Sequence, residues 1–191
     1  VPSQPHIDMT TAMLRTHGVE VDDSSPNRWS VAPGPVRAVD HLIEPDLSNA
    51  APFLAAAMIA GGTVSVTGWP AHSTQPGAML TEILHGAGAR LHRRAGVLTL
   101  TGSGVRAFDV DLSAAGELAP TIVGLAALAD GVSTITGIGH IRLHETDRIR
   151  ALVDGINALG GDAEELPDGI RVTPRPLHGG LWRSHHDHRM A

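Results

Sequence analysis

Two short strings concentrate the residues able to do chemistry. Residues 144–148 read His-Glu-Thr-Asp-Arg, and residues 185–189 read His-His-Asp-His-Arg. Each sets an arginine beside carboxyl and imidazole groups, a mixture suited to holding an anion in a guanidinium fork while a neighbouring acid moves a proton. Local spacing leaves simpler outcomes open. Arg148 can pair with Glu145 or Asp147, and Arg189 can be a solvated cation beside a polar loop. Glu145 and Glu117 each stand just before a helical run, where a carboxylate also satisfies the helix dipole. His140 and His144 lie four apart, and with the cluster His185, His186, Asp187 and His188 they raise a second chemistry, metal-dependent hydrolysis. That spacing signals zinc when it lies on a helix. Here it precedes the helix expected from about Thr146 and follows Gly137 and Gly139, which weighs against a metal.

The elements that position these strings must be built from a narrow alphabet. There is no tyrosine, with three Trp and two Phe, so the core rests on Ala, Val, Leu and Ile, and platforms for stacking bases are not expected. The 14 basic and 20 acidic residues give a net charge of −6, the wrong sign for a nucleic-acid partner. Any anionic ligand must be held by a few local charges. The absence of cysteine removes disulfides, thiolate metal sites and a cysteine nucleophile. No apolar run reaches the roughly 18 residues of a membrane span, so no membrane partner is expected and a cytoplasmic location is the default. The first residue is Val1, not Met, which predicts a chain cut from something longer.

Internal repetition supplies the architecture. Residues 9–31, 77–100 and 147–173 each read as a helix, a glycine stop, a strand, a turn and a strand, about 70 residues apart. AAMIAGGTVSVTG and LAALADGVSTITG precede the second and third copies at a similar interval. Each unit therefore reads helix, strand, helix, strand, strand. The runs 47–60 and 118–130 are apolar on nearly every face, the pattern of helices buried on all sides and sheathed by sheet. Residues 42–46 contain Pro45, favour extended chain and mark a domain boundary. Residues 1–44 are then a remnant of one domain, and 45–191 a second whose third unit, starting at PLHGGLWRSHHDHRMA, is incomplete.

HETDR at 144–148, DHRMA at 187–191 and the stretch FLAAAMIAGGTVSVTG at 53–68 resemble, in order and spacing, signature segments of the EPSP synthases. The resemblance runs through essentially the whole chain and corresponds to the C-terminal half of that family. It implies an inside-out α/β barrel fold: repeated βαβαββ units, helices buried and sheets outside, here truncated. It also implies a reaction, transfer of the enolpyruvyl group of phosphoenolpyruvate to the 5-hydroxyl of shikimate 3-phosphate with release of phosphate, on the route to aromatic amino acids. No metal or redox cofactor is implied, the partners are the two anionic substrates, and the parent protein is expected to be a monomer. A relative acting on a UDP-sugar shares the fold, but HETDR and DHRMA favour the shikimate enzyme.

By the same resemblance Arg148 and Arg189 clamp phosphoenolpyruvate, and His188 adds a donor towards it. Glu145 becomes a proton donor or acceptor at the phosphoenolpyruvate methylene, a role that asks for burial. Glu117 falls where the family has a catalytic carboxylate, usually Asp, that takes the proton of the substrate hydroxyl. His144 stands where lysine is common and His140 where asparagine is; His144 would contact shikimate 3-phosphate. Ser3 matches a serine that binds the phosphate of shikimate 3-phosphate, and His6 a tyrosine. Other parts of the family's site, including lysines and arginines of the N-terminal domain, have no counterpart among these residues. The chain alone is therefore expected to be inactive, at most a non-catalytic anion-binding half module, with a hinge near residues 44–46.

Overall fold

A computed structural model describes residues 4–191. Helix α1 (Gln4–Thr16) leads into a short antiparallel hairpin of β1 (Val21–Asp22) and β2 (Ser30–Val31). The helix begins before the expected start at Met9, so Pro5 and His6 are already helical. Residues 32–46 form no helix or strand, and Leu42 and Ile43 are exposed.

From Leu47 the order helix, strand, helix, strand, strand occurs twice. The first unit is α2 (Leu47–Ala60), β3 (Thr63–Thr67), a 3-10 turn at Pro76–Met79 running into α3 (Leu80–Gly86), then β4 (Arg90–Arg94) and β5 (Val97–Thr101). The second opens with β6 (Asp109–Asp111), and a 3-10 turn at Gly116–Leu118 leads into α4 (Ala119–Ala126). It continues through β7 (Ser133–Thr136), a 3-10 turn at Gly139–Leu143, α5 (Arg148–Ala158), β8 (Asp162–Leu166) and β9 (Gly169–Thr173). The segment-by-segment reading did not pick out β6, whose three residues, Asp-Val-Asp, carry too little pattern. It pairs in parallel with β7, and α4 supplies the crossover that a parallel pair requires.

The sheets run β3-β5-β4 and β6-β7-β9-β8. Alternation along the central strands decides which face meets the helices. On β5, Leu98 and Leu100 are buried, while Thr99 and Thr101 bond the hydroxyls of Ser65 and Thr63 on the other face. On β9, Ile170 and Val172 are buried, and the intervening Arg171 pairs with Glu164 in solvent. Sheets outside and helices inside follow. At Gly102 the end of β5 passes so near the Ala57 carbonyl and Met58 Cα that a Cβ has no room.

Sequence sets the helix limits. The Asp46 carboxylate caps α2 by accepting from Asn49 N at 3.0 Å, and Gly61 ends it with φ of 66°. In α5 the buried Ile149, Leu152, Val153 and Ile156 recur at helical spacing and form one stripe. Helix α4 is buried on nearly every face, as expected. Helix α2 departs from that expectation: Phe53 is 68% exposed and Ile59 48%, because no described element lies over that side. Residues 174–191, read as the start of a third unit, form no helix or strand. They are pinned to α5 by Trp182, whose ring lies against Gly155 and whose Nε1–H donates to the Met190 carbonyl at 2.6 Å. Among the described residues no helix is long and apolar enough to cross a membrane.

Candidate active site

Three element starts converge on one face. The first is the α5 N-terminus, where Asp147 caps the helix by accepting from Arg150 N at 3.1 Å and so sets Arg148 in the first turn. The second is the turn before α4, which carries Glu117. The third is the α2 N-terminus, with Ser48 and Asn49, against which residues 187–190 fold. Gly116 lets the Glu117 turn approach the His140 turn closely: a Cβ there would lie 2.6 Å from His140 Nε2 and push the ring aside.

A cleft of about 460 Å³ opens where they meet, and Glu117, His144, Glu145, Arg148, His188 and Arg189 all line it, together with His6, Ser113 and His140. Six of the seven residues expected from the sequence are thus brought together. The seventh, Ser3, lies outside the described residues.

Arg148 is the centre of the cluster. Its side chain is 4% exposed, and its guanidinium is held on three sides. Nε donates to Asp187 Oδ2 at 2.7 Å and Nη2 to Asp187 Oδ1 at 3.0 Å; Nη2 also donates to Glu145 Oε2 at 2.7 Å, and Nη1 lies 2.9 Å from His144 Nδ1. Of the two local partners open to it from spacing, Arg148 takes Glu145; Asp147 instead binds Arg142, which also holds Glu165. Glu145 is about half exposed, contrary to the burial expected for its role, and it occupies the solvent-facing edge of Arg148.

Arg189 is tied differently. Nη1 donates to Ser48 Oγ at 2.9 Å and reaches Asn49 Oδ1 at 3.5 Å, while its backbone N donates to Asp187 Oδ1 at 2.9 Å. Among the described residues no carboxylate lies within ion-pair distance of its guanidinium; its charge acts at longer range on Asp46, whose carboxyl it helps to hold below the usual range. Glu117 is half-buried, and its carboxylate has no hydrogen-bond partner among the described residues, which leaves it able to accept a proton from a bound hydroxyl. His188 is 68% exposed and only 4.0 Å from both Glu145 and Asp187, a loose contact.

His144 is held below its ordinary pKa by partial burial, then by the adjacent Arg148 charge and by His140, whose ring packs edge-on at 5.9 Å. Burial works against ionisation of Asp187, yet the bonds from Arg148 and from the Arg189 amide keep its carboxyl below the usual range. Sequence reasoning assigned Asp187 no role beyond the cluster of histidines around it. It stands immediately before His188 and Arg189 in DHRM, but the partner that defines it, Arg148, lies 39 residues away. His185 and His186 are exposed, and among the described residues no three His, Asp or Glu side chains converge as metal ligands.

Helices enclosed by sheets, with a cleft at the helix starts, form a fold also found in a solved enolpyruvyl transferase. The enolpyruvyl transferase NikO from Streptomyces tendae shares it, with a TM-score of 0.64 at 19% identity over 89% of this chain and 40% of that one. Within that fold the chain belongs to the EPSP synthase (3-phosphoshikimate 1-carboxyvinyltransferase) family, whose model matches residues 1–191. A 2.37 Å structure of EPSP synthase from Acinetobacter baumannii is similar at a TM-score of 0.78 and 29% identity over 95% of this chain. A second structure of EPSP synthase from that organism gives 0.74 and 27%, also over 95% of this chain. The chain spans 45% of the length of each of these two proteins.

Proposed function

We propose that this chain supplies the C-terminal half of a 3-phosphoshikimate 1-carboxyvinyltransferase site. The single observation that carries the reading is the convergence of Glu117, His144, Glu145, Arg148, His188 and Arg189 on one cleft in a member of this family.

In this reading Arg148 and Arg189 hold phosphoenolpyruvate, with His188 as a further donor. Ser3 and the Nε2–H of His144 contact shikimate 3-phosphate. The 5-hydroxyl oxygen bonds to C2 of phosphoenolpyruvate, Glu117 takes the hydroxyl proton, and C3 gains a proton from Glu145. The C2–O bond to phosphate then breaks, C3 returns its proton, and the double bond re-forms in the product. Fixed guanidinium charges hold the carboxylate and phosphate of phosphoenolpyruvate and stabilise the phosphate as it leaves C2, without reorganising. No metal or redox cofactor takes part. Residues 1–44 belong with the other globule, the segment 44–46 is the hinge, and the protein works as a cytoplasmic monomer.

Because the chain spans 45% of its structural relatives, we assign catalysis to the longer protein and only anion binding to these residues alone. The test is phosphate release by the full-length protein with each substrate omitted in turn, alongside an intact mass. Turnover that requires both substrates supports the reading. A full-length mass without turnover counts against it.

A further inference from the structure

We propose that Asp187 is a positioning residue that aligns the two clamping arginines with each other, so that they act as one anion receptor. The proposal rests on the transferase reading above and adds a residue to it.

One carboxylate serves both arms of the clamp. Its Oδ2 takes Nε of Arg148, and its Oδ1 takes both Nη2 of Arg148 and the backbone N of Arg189. The paired bonds to Nε and Nη2 fix the plane of the Arg148 guanidinium, as a fork-to-fork contact does. The amide bond fixes the backbone from which the Arg189 side chain departs. The two arginines lie on elements far apart in sequence, one at the start of α5 and one in the irregular segment after β9, and Asp187 hydrogen-bonds both. Asp187 has a fully buried side chain and is absent from the cleft lining, so it acts through the arginines and not on a ligand. Its charge is maintained by those same bonds, since burial alone would favour the neutral acid. Glu145 is the contrasting carboxylate. It meets Arg148 from the solvent side, with half its surface exposed, and can leave; Asp187 cannot.

The division of labour predicts a particular failure. Asp187→Asn keeps the shape but turns an acceptor into an amide that faces an Arg148 N–H, so the fork loses its plane. In the full-length protein the KM for phosphoenolpyruvate should rise about 10–100-fold, by analogy with the loss seen when the partner that orients a metal ligand is removed. The KM for shikimate 3-phosphate should stay within about twofold, and the Arg148 Nε–H resonance should shift and lose its protection from exchange. Asp187→Glu, which keeps the charge, should give a smaller rise of the same selective kind, and it serves if the Asn variant does not fold. An unchanged KM for phosphoenolpyruvate, or an equal rise in both KM values, would overturn the proposal and leave Asp187 a purely structural residue. If the wild-type protein turns over neither substrate, the transferase reading fails separately. The Nε–H resonance then still decides: its loss in Asp187→Asn supports the positioning role, and its retention overturns it.

Discussion

His144 Nδ1 lies 2.9 Å from Arg148 Nη1, and because arginine has only donors the imidazole must accept at that nitrogen. The bond therefore selects the neutral ring with its proton on Nε2, and it makes a doubly protonated His144 unfavourable beside a permanent cation. Where lysine is common in the family, this chain carries a neutral imidazole whose orientation is set by Arg148.

Nitrogen NMR should find His144 neutral and Nε2-protonated at pH 7, titrating below the ordinary histidine value of about 6.5. The folded pKa is depressed, so the unfolded state binds more protons in the window just below 6.5, and stability contributed by neutral His144 falls as pH falls through it. His144→Gln should flatten the stability profile between pH 5 and 7. A ring that is cationic at pH 7 would contradict the assignment.

Glu145→Gln separates an electrostatic role from a chemical one. Glu145 is half exposed and the buried Arg148 keeps its bonds to Asp187, so the unfolding free energy should change by only about 1 kcal/mol. Binding of phosphoenolpyruvate should hold or tighten as Nη2 is released, while kcat falls roughly 10²–10⁴-fold through loss of proton transfer. A stable variant with unaltered kcat would remove Glu145 from the chemistry.

Asp46 links stability to the clamp. It caps α2 and also accepts from Ser48 Oγ at 2.6 Å, the hydroxyl that receives Arg189. Asp46→Ala should cost about 1 kcal/mol in denaturant unfolding, as cap removals do, and should also weaken phosphoenolpyruvate binding. Loss of the cap with unchanged binding would show that Ser48 does not need Asp46 to hold Arg189.

Gly102→Ala tests the packing of sheet on buried helix. The added Cβ would overlap the Ala57 carbonyl and Met58 Cα, both backbone atoms that cannot move aside. A destabilisation of about 1–3 kcal/mol or more is expected from thermal unfolding. A neutral result would mean that β5 and α2 are less closely packed than described.

Much of this was legible in the sequence, for reasons that also explain the failures. The stripe Ile149, Leu152, Val153, Ile156 and the alternation Leu98, Leu100 are local patterns, and local patterns name their element directly. The run 47–60 looked buried on all faces because periodicity reports apolar content and not which neighbours are present; Phe53 and Ile59 are exposed accordingly. The segment β6 is too short to carry a period. At the site, HETDR and DHRMA gave five of the six converging residues, and Glu117 was placed by its position just before the helical run that becomes α4. Asp187 was overlooked because its function depends on a partner 39 residues away, which no local pattern encodes.

The most direct measurement is a crystal structure of the full-length protein with shikimate 3-phosphate and an unreactive phosphoenolpyruvate analogue. The account predicts the analogue's anionic groups within hydrogen-bond reach of both Arg148 and Arg189, Glu145 displaced from Nη2, and Asp187 still forked to Arg148. An analogue bound away from these arginines, or one held by Arg189 while the Arg148–Glu145 pair stays closed, would contradict it.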